Sequence, residues 1–433
     1  MRGRGDGVAG PRRPAALARR ALHRLLPPSR EARLLSVGYA LNAAGRGALV
    51  TCLIVYLTRV VGLETVEVGA ALTTAGLIGL LVGVPFGHLA DQVGPRRTAV
   101  VLSALSGLTC LLYLCVDSFV SLMLVTCLFT VTERGGSTAR EALLATVITN
   151  EAVTTRAYLR SISNIGMALG TGIAGIALAV HTRPVYLGVI ALNTVCLLLC
   201  GAILSRLPEP EGRTGKAVPG NRLPVLRDRP YILVTLLNVV MLLQAQVLEI
   251  AIPLWLAQHT QAPRFMVAAL LVLNTVGVVL FQVRVSRRIG TLDSALLWWR
   301  RSGLVLFVVC AVFAASAGRS ALLASVVLLV GAVLHVYAEM LQSAAGWVFS
   351  LDLAPDGKQG QYQGLFNTSF PLAQMIAPSV LLPLVLGWGA AGWIVLGAVF
   401  AVAGFAMVPV VGWAVRTRSI SLDVENTTEV TAK

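Results

Sequence analysis

Charge is scarce in this sequence. Only 13% of its 433 residues are Asp, Glu, Lys or Arg, whereas 56% are hydrophobic. The mean hydropathy of +0.78 lies far above that of a soluble domain. Aromatic residues make up just 6%, and no nucleic-acid-binding motif is present. That combination argues against a nucleic-acid partner, even though the net charge is +15. The signatures HExxH and GxSxG and a phosphate-binding glycine loop are all missing. The expectation is therefore a non-enzyme with no cofactor and no metal, in which ATP is not the energy source. The seven cysteines (Cys52, Cys110, Cys115, Cys127, Cys196, Cys200, Cys310) all fall in apolar runs. None forms CxxC, so they read as small buried hydrophobes.

What the chain does have is apolar runs of about 20 residues, each long enough to cross a bilayer as a helix. Twelve are expected. The first six cover about 34–57, 68–90, 98–116, 119–147, 158–180 and 185–204. The last six cover about 231–257, 265–285, 294–315, 321–349, 361–386 and 392–415. Between the two sets lies RLPEPEGRTGKAVPGNRLPVLRDR, rich in Pro, Gly and charge, which reads as a linker. The expected division is a basic arm over 1–33, a six-helix bundle over 34–205 and a cytoplasmic linker over 206–229. A second bundle over 230–415 and a polar, disordered tail over 416–433 complete it. The loops proposed as cytoplasmic hold about 28 Lys and Arg, against about four on the other side. An even number of spans then puts both termini in the cytoplasm of a cell (plasma) membrane protein. The arm carries no apolar core or cleavage site of a signal peptide. Its stretch AALARRALHRLL could form a basic amphipathic helix on anionic lipid, or be a plain positive tail.

One short turn stands out. GVPFGHLADQVGPRR, residues 83–97, joins the second and third runs. Gly87 permits a neighbouring backbone to approach. Asp91 ends one helix, Gly94 supplies a permissive turn and Pro95 suits the first turn of the next helix. Arg96 and Arg97 can pair with Asp91 or with lipid phosphate. The corresponding place in the second half reads RRIGTLD, residues 287–293. Gly94 aligns with Gly290, Asp91 with Arg287 and Arg97 with Asp293. The turn is kept while the charge order reverses, where a parallel repeat requires it.

At these residues the chain resembles the major facilitator superfamily. The family's loop motif is Gly-x-Leu-Ala-Asp-x-x-Gly-x-Arg-Lys/Arg. Gly87, Leu89, Ala90, Asp91, Gly94, Arg96 and Arg97 match it. The resemblance implies an all-α polytopic membrane protein of 12 transmembrane helices in two six-helix bundles, with a pseudo-two-fold axis along the membrane normal. It also implies that Asp91 and the arginines act as a conformational latch on the cytoplasmic side. A second likeness lies in GMALGTGIAG. Gly166, Gly170 and Gly175 fit the family's antiporter-type glycine pattern, although Thr171 replaces its proline and Ala174 one glycine. Small-residue helix packing is the alternative for these three.

Charges inside the runs are selective. A charge at mid-bilayer costs about 2.5–3.5 kcal/mol on insertion scales, so it tends to face water or a partner. The first run carries Arg46, the fourth Glu133 and Arg134, the seventh Glu249, and the tenth Glu339 with His335. The remaining runs carry essentially none. The resemblance implies that these four helices line a central cavity. Tyr39, Asn42 and Arg46 share a face of the first helix, Asn238, Gln246 and Glu249 form a stripe on the seventh, and His335, Glu339 and Gln342 one on the tenth. The alternative for Arg46 is that it holds helices together by pairing with Glu133 or Glu249. A pairing of His335 with Glu339 would make that histidine a candidate proton carrier.

The expectation is a monomeric secondary transporter that exports a hydrophobic or amphipathic small molecule in exchange for protons, an efflux antiporter of the multidrug-resistance kind. Glu249, Glu339 and Glu133, in that order, are the candidates for proton coupling, with His335 beside them. The alternatives are a proton-coupled or facilitative importer, or a membrane sensor or scaffold that moves nothing.

Overall fold

The computed structural model describes residues 29–148, 152–180, 182–208, 223–355 and 357–431, with side chains through Arg418. The basic arm before Ser29, with its amphipathic stretch, and most of the linker lie outside the described residues. All the regular elements described are helical. Twelve are long and apolar enough to cross a membrane: α1 (Arg30–Val61), α2 (Thr65–Val93), α3 (Pro95–Cys115), α4 (Phe119–Val147), α5 (Ala152–Val180), α6 (Arg183–Leu204), α7 (Arg229–His259), α8 (Met266–Ser286), α9 (Leu292–Ala314), α10 (Ala321–Asp352), α11 (Gln359–Gly387) and α12 (Gly389–Arg418). The molecule is a multi-pass α-helical membrane protein of two six-helix halves.

Turn chemistry marks the helix ends. Gly94 adopts φ 105° and donates its N–H to the Ala90 carbonyl, and Pro95 opens α3 where no N–H partner is needed. Ser118 caps α4, Asp228 caps α7 through the Tyr231 N–H, and Thr291 caps α9. Asp228 also accepts hydrogen bonds from the Tyr362 hydroxyl (2.7 Å) and Arg418 (3.1 Å), tying α7 to α11 and α12. Gly290, aligned with Gly94 in sequence, keeps an ordinary negative φ. The two turns therefore share a position without sharing a backbone conformation.

Prolines shape the helices within the membrane. In α7 a wide π turn spans Val247–Ala251, just ahead of Pro253. A proline has no N–H to give to the preceding turn, and the helix widens there. α11 breaks at Thr368, three residues before Pro371, and widens again over Pro383–Gly387.

Two boundaries and one packing contact differ from the sequence expectation. α5 begins at Ala152, six residues earlier than expected, which brings Arg156 and Arg160 into the membrane span. The fifth helix is thus charged, contrary to the expectation that only the first, fourth, seventh and tenth would be. Hydropathy stops at two arginines, but each has a carboxylate partner, Glu141 for Arg156 and the distant Glu339 for Arg160. The last helix does not end near 415. It continues to Thr431, so the expected disordered tail is helical there. Finally, among the packing glycines, Gly166 and Gly170 lie against the Ala40 and Ala44 carbonyls of α1. Gly175 does not pack: nothing lies within 4 Å of where its Cβ would be. Its neighbour Ala174 is the buried residue, and its carbonyl accepts from the Cys52 thiol.

Loops and helix ends of one side carry Arg33, Arg96, Arg97, Arg206, Arg227, Arg229, Arg284, Arg287, Arg288, Lys358 and Arg416. Arg59, Arg183, Arg264 and Arg319 are the cations of the other side among the described residues. These two sides are called the basic end and the far end below.

Candidate functional site

Where the halves meet, five helices do most of the work: α2 against α11, and α5 against α8 and α10. Hydrogen bonds between the halves line these two seams, between the basic end and mid-membrane, and one, from Arg156 to Gln363, joins α5 to α11 between them. Along the first seam, glycine faces glycine. A Cβ on Gly83 would come within 2.7 Å of the Gly364 carbonyl oxygen, and one on Gly87 would collide with that of Gly360. Backbones this close leave no room for side chains. At the end of the seam Asp91 reaches across. Its carboxylate accepts from the backbone N–H groups of Gly360 (2.6 Å) and Gln361 (3.0 Å), and the Gln361 amide meets His88 at 2.8 Å. These are free N–H groups in the first turn of α11, where the helix dipole also favours an anion. Asp91 of one half therefore caps a helix of the other. Arg96, expected beside Asp91, donates to the Leu207 carbonyl at 2.8 Å.

The second seam is closed by arginines. Arg287, at the end of α8, donates to the Tyr158 hydroxyl of α5 at 3.0 Å. Deeper in, Arg156 is buried. It pairs with Glu141 of its own half at 2.9 Å and donates across to the Ser350 hydroxyl (2.7 Å) and the Gln363 amide oxygen (2.8 Å). One helical turn further, Arg160 grips both the Glu339 carboxylate and the Ser343 hydroxyl of α10. The other oxygen of Glu339 accepts from Asn274 of α8 at 2.6 Å. Glu339 lies thirteen residues inside the end of α10, about 20 Å along the helix at 1.5 Å per residue, which is mid-bilayer depth.

The candidate residues fall into separate groups. Asn42, Arg46, Glu133 and Arg134 gather in a cavity of about 220 Å³ within the first half, whose other walls are largely apolar, including Leu53, Leu72 and Phe129. Arg46 pairs there with Glu133 at 3.9 Å. Tyr39 lies apart and donates to Glu141 at 2.9 Å. Asn238 and Gln342 are joined at 2.8 Å and line a second cavity, of about 160 Å³, with Arg160, Ser343 and Trp347. Gln246 is buried away from both cavities, with its amide nitrogen unpartnered. Glu249 is exposed on the wide turn of α7.

His335 does not pair with Glu339. Its Nε2 lies 2.9 Å from the Gln244 carbonyl, which can only accept, so Nε2 carries the proton, and Nδ1 is unpartnered. Although the two share a helix face, each finds a better partner on another helix. Sequence reasoning missed Arg156, Arg160, Asn274 and Ser343 altogether. The one available signal was the spacing of Arg156 and Arg160, four apart on a single face next to an apolar run. No group of three or more His, Cys, Asp or Glu among the described residues could hold a metal.

Two helical halves that touch along two symmetry-related seams, with ionisable groups held at mid-membrane, define a transport fold rather than a structural bundle. The sequence matches the Major Facilitator Superfamily profile over residues 35–378, most of its length, and the chain belongs to that superfamily of membrane transporters. Solved structures share the fold. A bacterial homologue of the iron transporter ferroportin, in its outward-facing state, superposes with a TM-score of 0.70 at 18% identity, over 89% of this chain and 100% of that one. The human organic anion transporter MFSD10 (TETRAN) gives 0.65 at 16% identity, over 88% and 100%. The proton:xylose symporter XylE, bound to 6-bromo-6-deoxy-D-glucose, gives 0.62 at 13%, over 87% and 94%. At such identities the likeness concerns the fold. No curated protein matched the sequence.

Proposed function

We propose that the chain exports a hydrophobic or amphipathic small molecule in exchange for protons by alternating access, and that Glu339 carries the proton. The basic end is cytoplasmic, following the positive-inside rule, so both termini are cytoplasmic in a plasma-membrane protein. The halves as seen are joined at the cytoplasmic side, which corresponds to an outward-facing state.

The observation that carries this reading is the bridge from Arg160 to Glu339. It spans the two halves at mid-membrane and is completed by Asn274 and Ser343. A proton on Glu339 removes the attraction for Arg160 and weakens one seam, so protonation and separation of the halves are linked. Glu339 thereby takes precedence over Glu249, which no hydrogen bond ties to the other half, and over Glu133, whose partner Arg46 belongs to its own half. The apolar walls around Arg46 and Glu133 favour a lipophilic substrate, since a sugar site requires many hydrogen-bonding groups. Asp91, Gly87 and Gly94 with the neighbouring arginines serve as the latch.

The test uses purified protein in proteoliposomes, an imposed pH gradient and a panel of lipophilic fluorescent compounds. Wild type should move at least one of them against its gradient when the opposite compartment is acidic. Glu339→Gln should lose gradient-driven movement while retaining substrate exchange at equal pH. If gradient-driven export survives in Glu339→Gln, Glu339 is not the proton carrier.

A further inference from the structure

Outside the central seams, one crevice carries cations that the rest of the molecule leaves unused. α8 and α9 are joined by a short turn at the basic end and then diverge, with α10 flooring the gap between them. The opening is a cavity of about 110 Å³ whose lining includes Arg284, Arg288, Trp298 and Tyr337. Arg284 and Arg288 stand four residues apart on one face and are exposed. Neither takes part in a hydrogen bond or ion pair among the described residues, and no carboxylate lines the cavity. A third cation, Arg301, stacks over the Trp298 ring with its guanidinium carbon 4.7 Å from the centroid. Beyond the cations, Tyr337 continues a stripe of exposed apolar side chains up α10: Val333, Val330 and Val326, at helical spacing.

We infer that this crevice binds one anionic phospholipid. Its headgroup phosphate sits on Arg284 and Arg288, Trp298 and Tyr337 lie beside the glycerol region, and an acyl chain runs along Val333 and Val330. Charge complementarity selects the occupant. Two unpaired guanidiniums at the membrane surface favour an anion, and guanidinium forks match phosphate oxygens. The apolar stripe leading away from them fits a chain and gives nothing to a free ion. The inference is independent of the direction of transport and of the coupling ion.

The test reads Trp298. Its contribution is the difference in fluorescence between wild type and Trp298→Phe, both in phosphatidylcholine vesicles doped with acyl-brominated lipid. Brominated phosphatidylglycerol should quench that contribution at a mole fraction roughly tenfold lower than brominated phosphatidylcholine does, since each basic residue near an anionic lipid strengthens its binding severalfold. The preference should vanish in Arg284→Ala/Arg288→Ala and persist in Arg284→Lys/Arg288→Lys. Inorganic phosphate at millimolar concentration should not relieve the quenching. Equal quenching by the two lipids in wild type would overturn the inference without recourse to any variant. So would a preference that survives loss of both arginines, or one abolished by free phosphate, which would indicate a simple anion site.

Discussion

The two seams between the halves occupy equivalent places in the repeat, yet they are built from opposite materials. Along α2 and α11, glycines bring backbones together, and Asp91 finishes the contact by capping the opposing helix. Along α5, α8 and α10, arginines reach across to hydroxyls, amides and one carboxylate. The residues closing the two ends, Asp91 and Arg287, occupy matching positions in the two halves and bear opposite charge. The first seam is limited by shape: it closes only where nothing protrudes. The second is limited by charge: it closes only while its ions are matched. A proton or a charged ligand can act along the second seam, and on the first only at its end, where Asp91 caps α11.

Breaking the charged seam should have the largest effect. Arg160→Ala leaves Glu339 buried without its counter-ion, a change worth about 3–5 kcal/mol. Transport should fall below detection, and cysteine labelling from the basic end should rise. The double variant Arg160→Ala/Glu339→Gln should recover part of the closed population, because no unmatched charge remains. Failure of that recovery would show that Arg160 holds the seam through Ser343 alone. Next comes the glycine seam. Gly87→Ala places a methyl against the Gly360 carbonyl and should disfavour closure by about 1–3 kcal/mol, the usual cost of overpacking. Spin-label distances between α2 and α11 at the basic end should lengthen, and neither pH nor salt should restore them.

A smaller effect is expected for Asp91→Asn. The amide oxygen still accepts from one N–H of α11, but the charge at the helix start is lost, at about 1 kcal/mol. The transport rate should drop severalfold with the fold intact, as thermal unfolding would verify. The smallest is Gly175→Ala, expected within about 0.5 kcal/mol of wild type. Gly170→Ala, whose methyl would collide with the Ala44 carbonyl, should be clearly destabilised. Equal stability of these two variants would mean that α5 does not approach α1 as closely as described.

Much of the fold could be read in advance because bilayers demand long apolar runs and turns demand particular residues. The bounds of α4 and the Gly94–Pro95 turn follow from those rules. The site was less legible. α5 was cut short because Arg156 and Arg160 look like a membrane boundary to any local reading. The carboxylate that neutralises Arg160 lies 179 positions away in sequence, and the hydroxyl and amide that Arg156 reaches across the seam lie 194 and 207 away. Local spacing misled in the other direction at His335 and Glu339. A spacing of four lets side chains meet on a helix but does not make them do so, and the Gln244 carbonyl and Arg160 were better placed.

The wide turn in α7 has one further consequence. A π turn holds one residue more than its α-helical neighbours, and each residue advances a helix by about 100°. The segment after it, Ile252–His259, is thus out of phase with the segment before. Its register is fixed by Trp255, which stacks on His259 at 4.1 Å, meets Trp393 edge-on at 5.7 Å and donates to Ser316. With that anchor in place, the extra residue sets the phase of everything before it: without it, the segment leading up to Glu249 would face about 100° away from its present direction relative to Trp255.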